Sequence, residues 1–283
     1  MALVLLLLGI DRLGRGECPQ PERSERHTQR YEEGLWKMIV VLFTNSLPYD
    51  FAAEQNFFMG EVKVLSERFD RVILVPRTVR GNLLSVPAGV EVDVSFAKRF
   101  TLGRRLALSA LALFSKEFYL DIRNHLPASL APGYLRRLFS FLAGAILTRD
   151  WGKNWLRQQQ EETPTDVIFY TYWFNEITMG LGLIKSDHPA LRVVTRAHGY
   201  DIYEELYGTW PCRFTALSLL DGLYSVSEAG TTYLREKYPE FKDRYETLLL
   251  GVPDPQSVAK SSSDGVLRIV SCSSINSIKR INL

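Results

Sequence analysis

From Lys37 onward, short apolar runs alternate with longer stretches of mixed apolar and polar positions. Met38 to Phe43 (MIVVLF) has the length of a buried strand and is closed by the turn-prone Asn45, Pro48 and Asp50. Glu54 to Phe69 places apolar residues at Phe57, Phe58, Val62, Val64 and Leu65, which predicts a helix with one buried face. Arg71 to Pro76 (RVILVP) predicts a second strand that Pro76 ends. Val90 to Val94 alternates with period two, as an edge or half-buried strand does. Lys98 to Gln160 reads as helical but less regular. Asp166 to Tyr172 (DVIFYTY) resumes the strand pattern and leads into a helix reaching Ser186. Leu191 to Arg196, Gly222 to Val226, Tyr245 to Leu250 and Leu267 to Cys272 are further strands.

Strands separated by helices predict βαβ units, a mainly parallel sheet and helices on both faces. Right-handed crossovers then give an α/β fold with a Rossmann-like, doubly wound sheet, whose functional groups gather at the carboxyl ends of the strands. Pro253 to Asp264 (PDPQSVAKSSSD) is proline- and serine-rich and reads as a linker. The expected organisation is an extension over 1–36, a Rossmann-like domain over 37–252, a linker over 253–264, and over 265–283 the first strand of a second domain on which the chain stops.

Composition narrows the class. A hydrophobic share of 46% suits a packed interior, and a net charge of +2 without an aromatic-basic platform argues against nucleic acid. Cys18, Cys212 and Cys272 form no close pair, and His27, His125, His188 and His198 show no ligand spacing. No metal site or disulfide framework is expected, and a reducing compartment fits. Ala2 to Ile10 is apolar but too short to span a bilayer, and no basic residue precedes it. A weak export signal, a surface anchor and an extension upstream of a start at Met38 all fit it.

Several strand exits carry groups capable of chemistry. Thr195 to Asp201 (TRAHGYD) follows a strand; Gly199 allows a sharp turn, His198 can exchange a proton near neutrality, and Asp201 is close enough to orient it. A polar turn with His198 capping the next helix explains the same residues. Tyr170 to Glu176 (YTYWFNE) offers the rings of Tyr172 and Trp173 to a sugar face and Asn175 or Glu176 to hydroxyls, or else packs its rings between sheet and helix. Ser227 fits an N-cap with Glu228 in the first turn. Ser273 to Arg280 ends with Lys279 and Arg280, which suit a diphosphate or a solvated first turn. Residues 98–118 and 134–146 pair basic residues (Lys98, Arg99, Arg104, Arg105, Arg136, Arg137) with apolar stripes. That pattern fits an anionic membrane surface and equally a helix packed on the sheet. A dinucleotide-dependent oxidoreductase is excluded, because the first strand is followed by no glycine-rich phosphate loop.

The order of these pieces resembles the group 1 retaining glycosyltransferases of the GT-B fold, especially bacterial enzymes of exopolysaccharide, colanic-acid-like and O-antigen assembly. The matching segments are FTNSLPYD with Glu54 and Glu61 in the following helix, FDRVILVP, YTYWFNE, RAHGYDIYEE, LDGLYSVSEAGTTYLREKYP, LLGVPDP and LRIVSCSSINSIKR. The resemblance implies an acceptor-binding N-terminal half and a nucleotide-sugar-binding C-terminal half, with the nucleotide-sugar as substrate and neither metal nor other cofactor. Carried over residue by residue, His198 matches the active-site histidine beside the transferred sugar, and Lys279, with Arg280 next to it, the contact to the donor diphosphate. Tyr172, Trp173, Glu176 and Asp201 become the expected acceptor contacts. Where the family often has an arginine shortly before that lysine, this chain has Ser274, and its first loop lacks glycine. The implied partners are a nucleotide-sugar and a glycan or lipid-linked saccharide. The implied place is the cytoplasm, with peripheral contact at the inner face of the plasma membrane, and no transfer is expected from a chain that stops before the donor motif. A Rossmann-like glycan-binding module without turnover is the competing class.

Overall fold

The computed structural model describes residues 37–51, 54–125, 132–159 and 165–251, together with Val266 and Arg268. The extension 1–36, the linker 253–264, the strand expected over Leu267–Cys272, and Lys279 and Arg280 lie outside the described residues. By internal contacts the chain divides into Met1–Val252 and Pro253–Leu283, and every strand and helix named here belongs to the first unit.

Seven strands form one sheet: β1 (Lys37–Thr44), β2 (Arg71–Pro76), β3 (Val90–Val92), β4 (Thr165–Thr171), β5 (Arg192–Ala197), β6 (Gly222–Ser225) and β7 (Tyr245–Thr247). All neighbours are parallel and the order is β3-β2-β1-β4-β5-β6-β7, so the chain is an α/β protein with a Rossmann-like, doubly wound sheet. The connecting helices are α1 (Gln55–Ser66), α2 (Ser95–Arg99), α3 (Leu102–Ser109), α4 (Lys116–Asn124), α5 (Pro132–Gln159), α6 (Glu176–Gly182), α7 (Gly199–Ile202), α8 (Glu204–Tyr207), α9 (Arg213–Leu219) and α10 (Glu228–Lys237).

Period-two alternation assigns the continuous apolar run of β1 to both faces. Met38, Val40 and Leu42 pack with Phe58, Val62 and Leu65 of α1, Tyr170 and Tyr172. Ile39, Val41 and Phe43 pack on the other face with Phe96, Trp151, Trp155 and Phe169. Burial on both faces is why β1 shows no polar alternation.

Two strands end earlier than their patterns predict. After Val92 the Asp93 carboxylate accepts from Ser95 N at 2.7 Å, a turn that starts α2 instead of prolonging β3. Beyond Leu248, whose N–H reaches the Ser225 carbonyl at 2.8 Å, β6 has ended and β7 has no neighbour left to pair with.

The helix α5 has 28 residues and so spans about 42 Å, against about 23 Å for the seven residues of β4. Because α5 leads into β4, its first turns overhang the carboxyl edge of the sheet. Its middle approaches α6 closely: a Cβ on Gly180 would come within 2.4 Å of the Ala145 carbonyl oxygen and 2.6 Å of Thr148 Cβ.

Behind that overhang, Asp121 ties three segments together. Tyr134 Oη donates to one carboxylate oxygen at 2.6 Å, and Cys212 N donates to the other at 2.6 Å. His125 Nδ1 lies 3.2 Å from the carboxylate and 3.0 Å from the Asp121 main-chain oxygen. The hydrogen bond to Asp121, with that carboxylate's charge, holds the His125 pKa above its ordinary value despite partial burial. Because the folded-state value exceeds the unfolded value of about 6.5, this contribution is complete below that pH and is lost as pH rises through the folded value. The wild-type urea midpoint should therefore fall from about pH 6 to about pH 8 more steeply than that of His125→Gln. Parallel pH profiles for the two proteins would remove His125 from the account.

Candidate functional site

The strand order reverses between β1 and β4, and in doubly wound sheets the crevice outside the carboxyl ends of such a pair is the ligand position. The loop leaving β1 directs three backbone amides, Asn45 N, Ser46 N and Leu47 N, at one carboxylate, that of Glu54, at 3.0, 2.9 and 3.1 Å. Trp173 Nε1 donates to the same group at 2.7 Å. Convergent amides of this kind form an anion nest. Here the anion is a side chain of the chain itself, only 4% exposed, so the nest is filled and holds Trp173 at the exit of β4. The missing glycine in this loop was legible in the sequence; the carboxylate that replaces an external anion was not.

Three residues expected at the site converge. His198, directly after β5, lies with its ring 4.3 Å from that of Trp173 at 33° and 4.8 Å from that of Tyr172. Both imidazole nitrogens are shielded from solvent and have no hydrogen-bond partner, and the same is true of Tyr172 Oη and Ser46 Oγ. Four orphaned polar atoms at the exits of β1, β4 and β5 are costly, since each buried unpartnered group loses about 1–3 kcal/mol of solvation. An arrangement retained at that cost suits a site completed by a polar ligand.

The other two expected contacts take different parts. Asp201 was expected to orient the imidazole and touch acceptor. Instead its carboxylate accepts from the backbone N–H groups of His198 and, at 2.9 Å, Phe174, while its main-chain oxygen accepts from Arg213 at 2.6 Å. The ring nitrogen stays 3.8 Å away. As the third residue of α7, Asp201 turns its carboxylate back onto the His198 amide and pins the β4 and β5 exits to each other through the backbone. Glu176 pairs with Arg77 at 2.8 Å and lines a cleft of about 770 Å³ whose lining includes none of Tyr172, Trp173 and His198. Tyr172 continues the alternation of Ile168 and Tyr170 onto the α1 face of the sheet, and the turn that follows β4 breaks that alternation, so that Phe174 packs on the opposite face. Asn175 caps α6, accepting from Ile177 N at 2.9 Å, and Ser227 caps α10, accepting from Gly230 N at 3.1 Å.

Beneath the crevice lies a buried ionic group to which the sequence gave no role. Arg196 Nη2 meets Glu61 at 2.8 Å, Tyr170 Oη donates to the other Glu61 oxygen, and Arg196 Nη1 donates to the Leu248 carbonyl. Burial raises the Glu61 pKa above the usual carboxylate range, although Arg196 and the Tyr170 hydroxyl pull it down. A helix-face glutamate and a strand arginine separated by 135 positions leave no local signal.

Of the two segments expected at a membrane, 134–146 is mostly interior: Leu138, Phe141, Leu142 and Ala145 are buried against the sheet, while Arg136 and Arg137 stay exposed. The stretch 98–118 exposes Leu102, Leu106, Leu113 and Phe114. No helix among the described residues is long and apolar enough to cross a membrane, and no three metal-ligating side chains gather there. Burial pushes the Cys212 thiol far up, which keeps it unreactive. No protein-family model matches the chain, and none of the curated proteins is a match for it.

Proposed function

We propose that this chain is the acceptor-side half of a GT-B glycosyltransferase, passing a sugar from a nucleotide-sugar to a glycan or lipid-linked saccharide in cell-surface polysaccharide synthesis. The observation that carries this reading is the crevice at the β1–β4 reversal. Its phosphate-type nest is occupied by Glu54, and unpartnered His198, Tyr172 and Ser46 lie around the indole of Trp173. A crevice closed to phosphate and rich in ring faces and hydroxyl partners suits the sugar end of the reaction.

In this reading Trp173 stacks on the acceptor ring, Tyr172 and His198 bond its hydroxyls beside the transferred sugar, and Asp201 holds both exits in place. Lys279 and Arg280 meet the donor diphosphate. Exposed Leu106 and Phe114, with the basic residues of 98–118, rest on the inner face of the plasma membrane. Recognition without turnover is the second reading. It is favoured by the full engagement of the Glu54 and Asp201 carboxylates, which leaves neither free as a base.

The test is oligosaccharide titration followed by tryptophan fluorescence and imidazole resonances, beside transfer from labelled nucleotide-sugars by a protein carrying both halves. Binding should perturb Trp173 and His198, and His198→Ala should lower transfer by about 10²-fold or more. Unaltered transfer by His198→Ala sinks its assigned role. Glycan binding without any transfer moves the chain to the second reading.

A further inference from the structure

Glu176 opens onto a second feature, the cleft of about 770 Å³ beneath the overhanging start of α5. Arg105 of α3 and Arg136 and Arg137 of α5 share its wall with Trp210, and Leu102 and Leu106 form an apolar side. The charge is one-sided. Glu176 is the one acidic residue of the lining, and its carboxylate is already held by Arg77 at 2.8 Å, with Arg105 within its field. The remaining guanidinium contacts are to neutral groups: Arg105 donates to Ser140 Oγ at 2.6 Å and lies 5.1 Å from the Phe100 ring centre, and Arg137 lies 5.8 Å from that of Tyr134.

The hydrogen-bond inventory is one-sided as well. Arg105 Nε and Trp210 Nε1 are shielded from solvent without any partner. Both are donors with no acceptor capacity, so each is left without an acceptor. A group with several oxygens and negative charge supplies both deficits, and a phosphoryl group fits guanidinium forks best. The apolar side continues outward, since Leu102 is 71% and Leu106 65% exposed. Such surface next to unpaired arginines favours an apolar chain attached to the phosphate over a free anion.

We infer that this cleft binds the phosphate ester of a hydrophobic alcohol, with the phosphoryl oxygens on Arg105, Arg136, Arg137 and Trp210 and the alkyl chain along Leu102 and Leu106. The site stands whether or not sugar is transferred at His198, because neither His198 nor its ring neighbours line the cleft. Tyr200, two residues beyond His198, is on the cleft wall and brings the two sites side by side.

The experiment is calorimetric titration of the whole chain with dodecyl phosphate below its micellar concentration, beside dodecyl maltoside and inorganic phosphate. Dodecyl phosphate should bind at least about tenfold more tightly than either of the others. Arg136→Ala/Arg137→Ala should abolish its advantage over the maltoside, and Leu106→Ser its advantage over inorganic phosphate. All three positions are exposed, so the thermal midpoints should stay at the wild-type value. Equal binding of the phosphate and the maltoside, equal binding of inorganic phosphate, or wild-type behaviour of the variants would each overturn the inference. A second arm separates a single molecule in the cleft from a bilayer headgroup. Dodecyl phosphate should remove the part of phosphatidic acid vesicle binding that depends on Arg136 and Arg137, and vesicle binding unchanged at saturating dodecyl phosphate assigns the lipid to the outer surface and overturns the site.

Discussion

Arg196→Met should destabilise the chain by about 3–5 kcal/mol at neutral pH, the range found when one partner of a buried ion pair is removed. Arg196 is 2% exposed, and its loss leaves the Glu61 carboxylate with the Tyr170 hydroxyl alone as a donor. It also leaves the Leu248 carbonyl without its side-chain partner at the end of β7. Glu61 already titrates above the usual carboxylate range because of burial, and without Arg196 it should titrate higher still. A carboxyl group whose folded-state pKa exceeds its unfolded value of about 4.3 stabilises the fold below that value and loses this contribution as pH climbs. The variant should therefore recover part of its deficit as pH falls from about 7.5 to about 5. Urea unfolding at both pH values measures this, and Arg196→Met/Glu61→Leu should regain much of the loss because no charge is then left buried. A single variant within about 1 kcal/mol of wild type at pH 7.5 would refute the ion pair.

Asp121→Ala should cost about 3 kcal/mol, because two buried donors, Tyr134 Oη and Cys212 N, lose their acceptor at once. Cys212 has φ 55°, the left-handed region that a side chain with a Cβ occupies at a cost, and its amide bond to Asp121 helps hold it there. Tyr134→Phe removes one of these bonds without orphaning a backbone donor and should cost only about 1 kcal/mol. Guanidinium unfolding curves separate the two, and a Tyr134→Phe loss equal to that of Asp121→Ala would show that the hydroxyl bond alone matters. Trp210 and Pro211 of the cleft wall directly precede Cys212, so Asp121→Ala should also weaken dodecyl phosphate binding.

The sheet was legible where burial covers both faces. MIVVLF, RVILVP and DVIFYTY each became a central strand within a residue or two of the predicted bounds, because unbroken apolar runs of that length fit little else. The edges were less legible. VEVDV stopped at Val92, where the Asp93 carboxylate starts the turn into α2, and the strand after Tyr245 stopped at Thr247 for want of a neighbour to pair with, which no local pattern records. The stripe of 134–146 could not reveal whether lipid or sheet would cover it, since both reward the same apolar spacing.

The candidate site divides in the same way. The sequence marked His198, Tyr172, Trp173, Asp201 and Glu176 as strand-exit residues, and the parallel topology then puts all of them at one edge of the sheet. Only the tertiary structure decided which of them meet. Side-chain alternation sends Tyr172 towards α1, and the carboxylate of Asp201 is spent on backbone amides. Glu54 fills the nest from a helix start, and Glu61 reaches an arginine 135 residues away. Local pattern determines element type because hydrophobic spacing acts within one or two turns of chain. Partners of polar groups depend on which elements pack side by side, and that is settled only when the sheet is assembled.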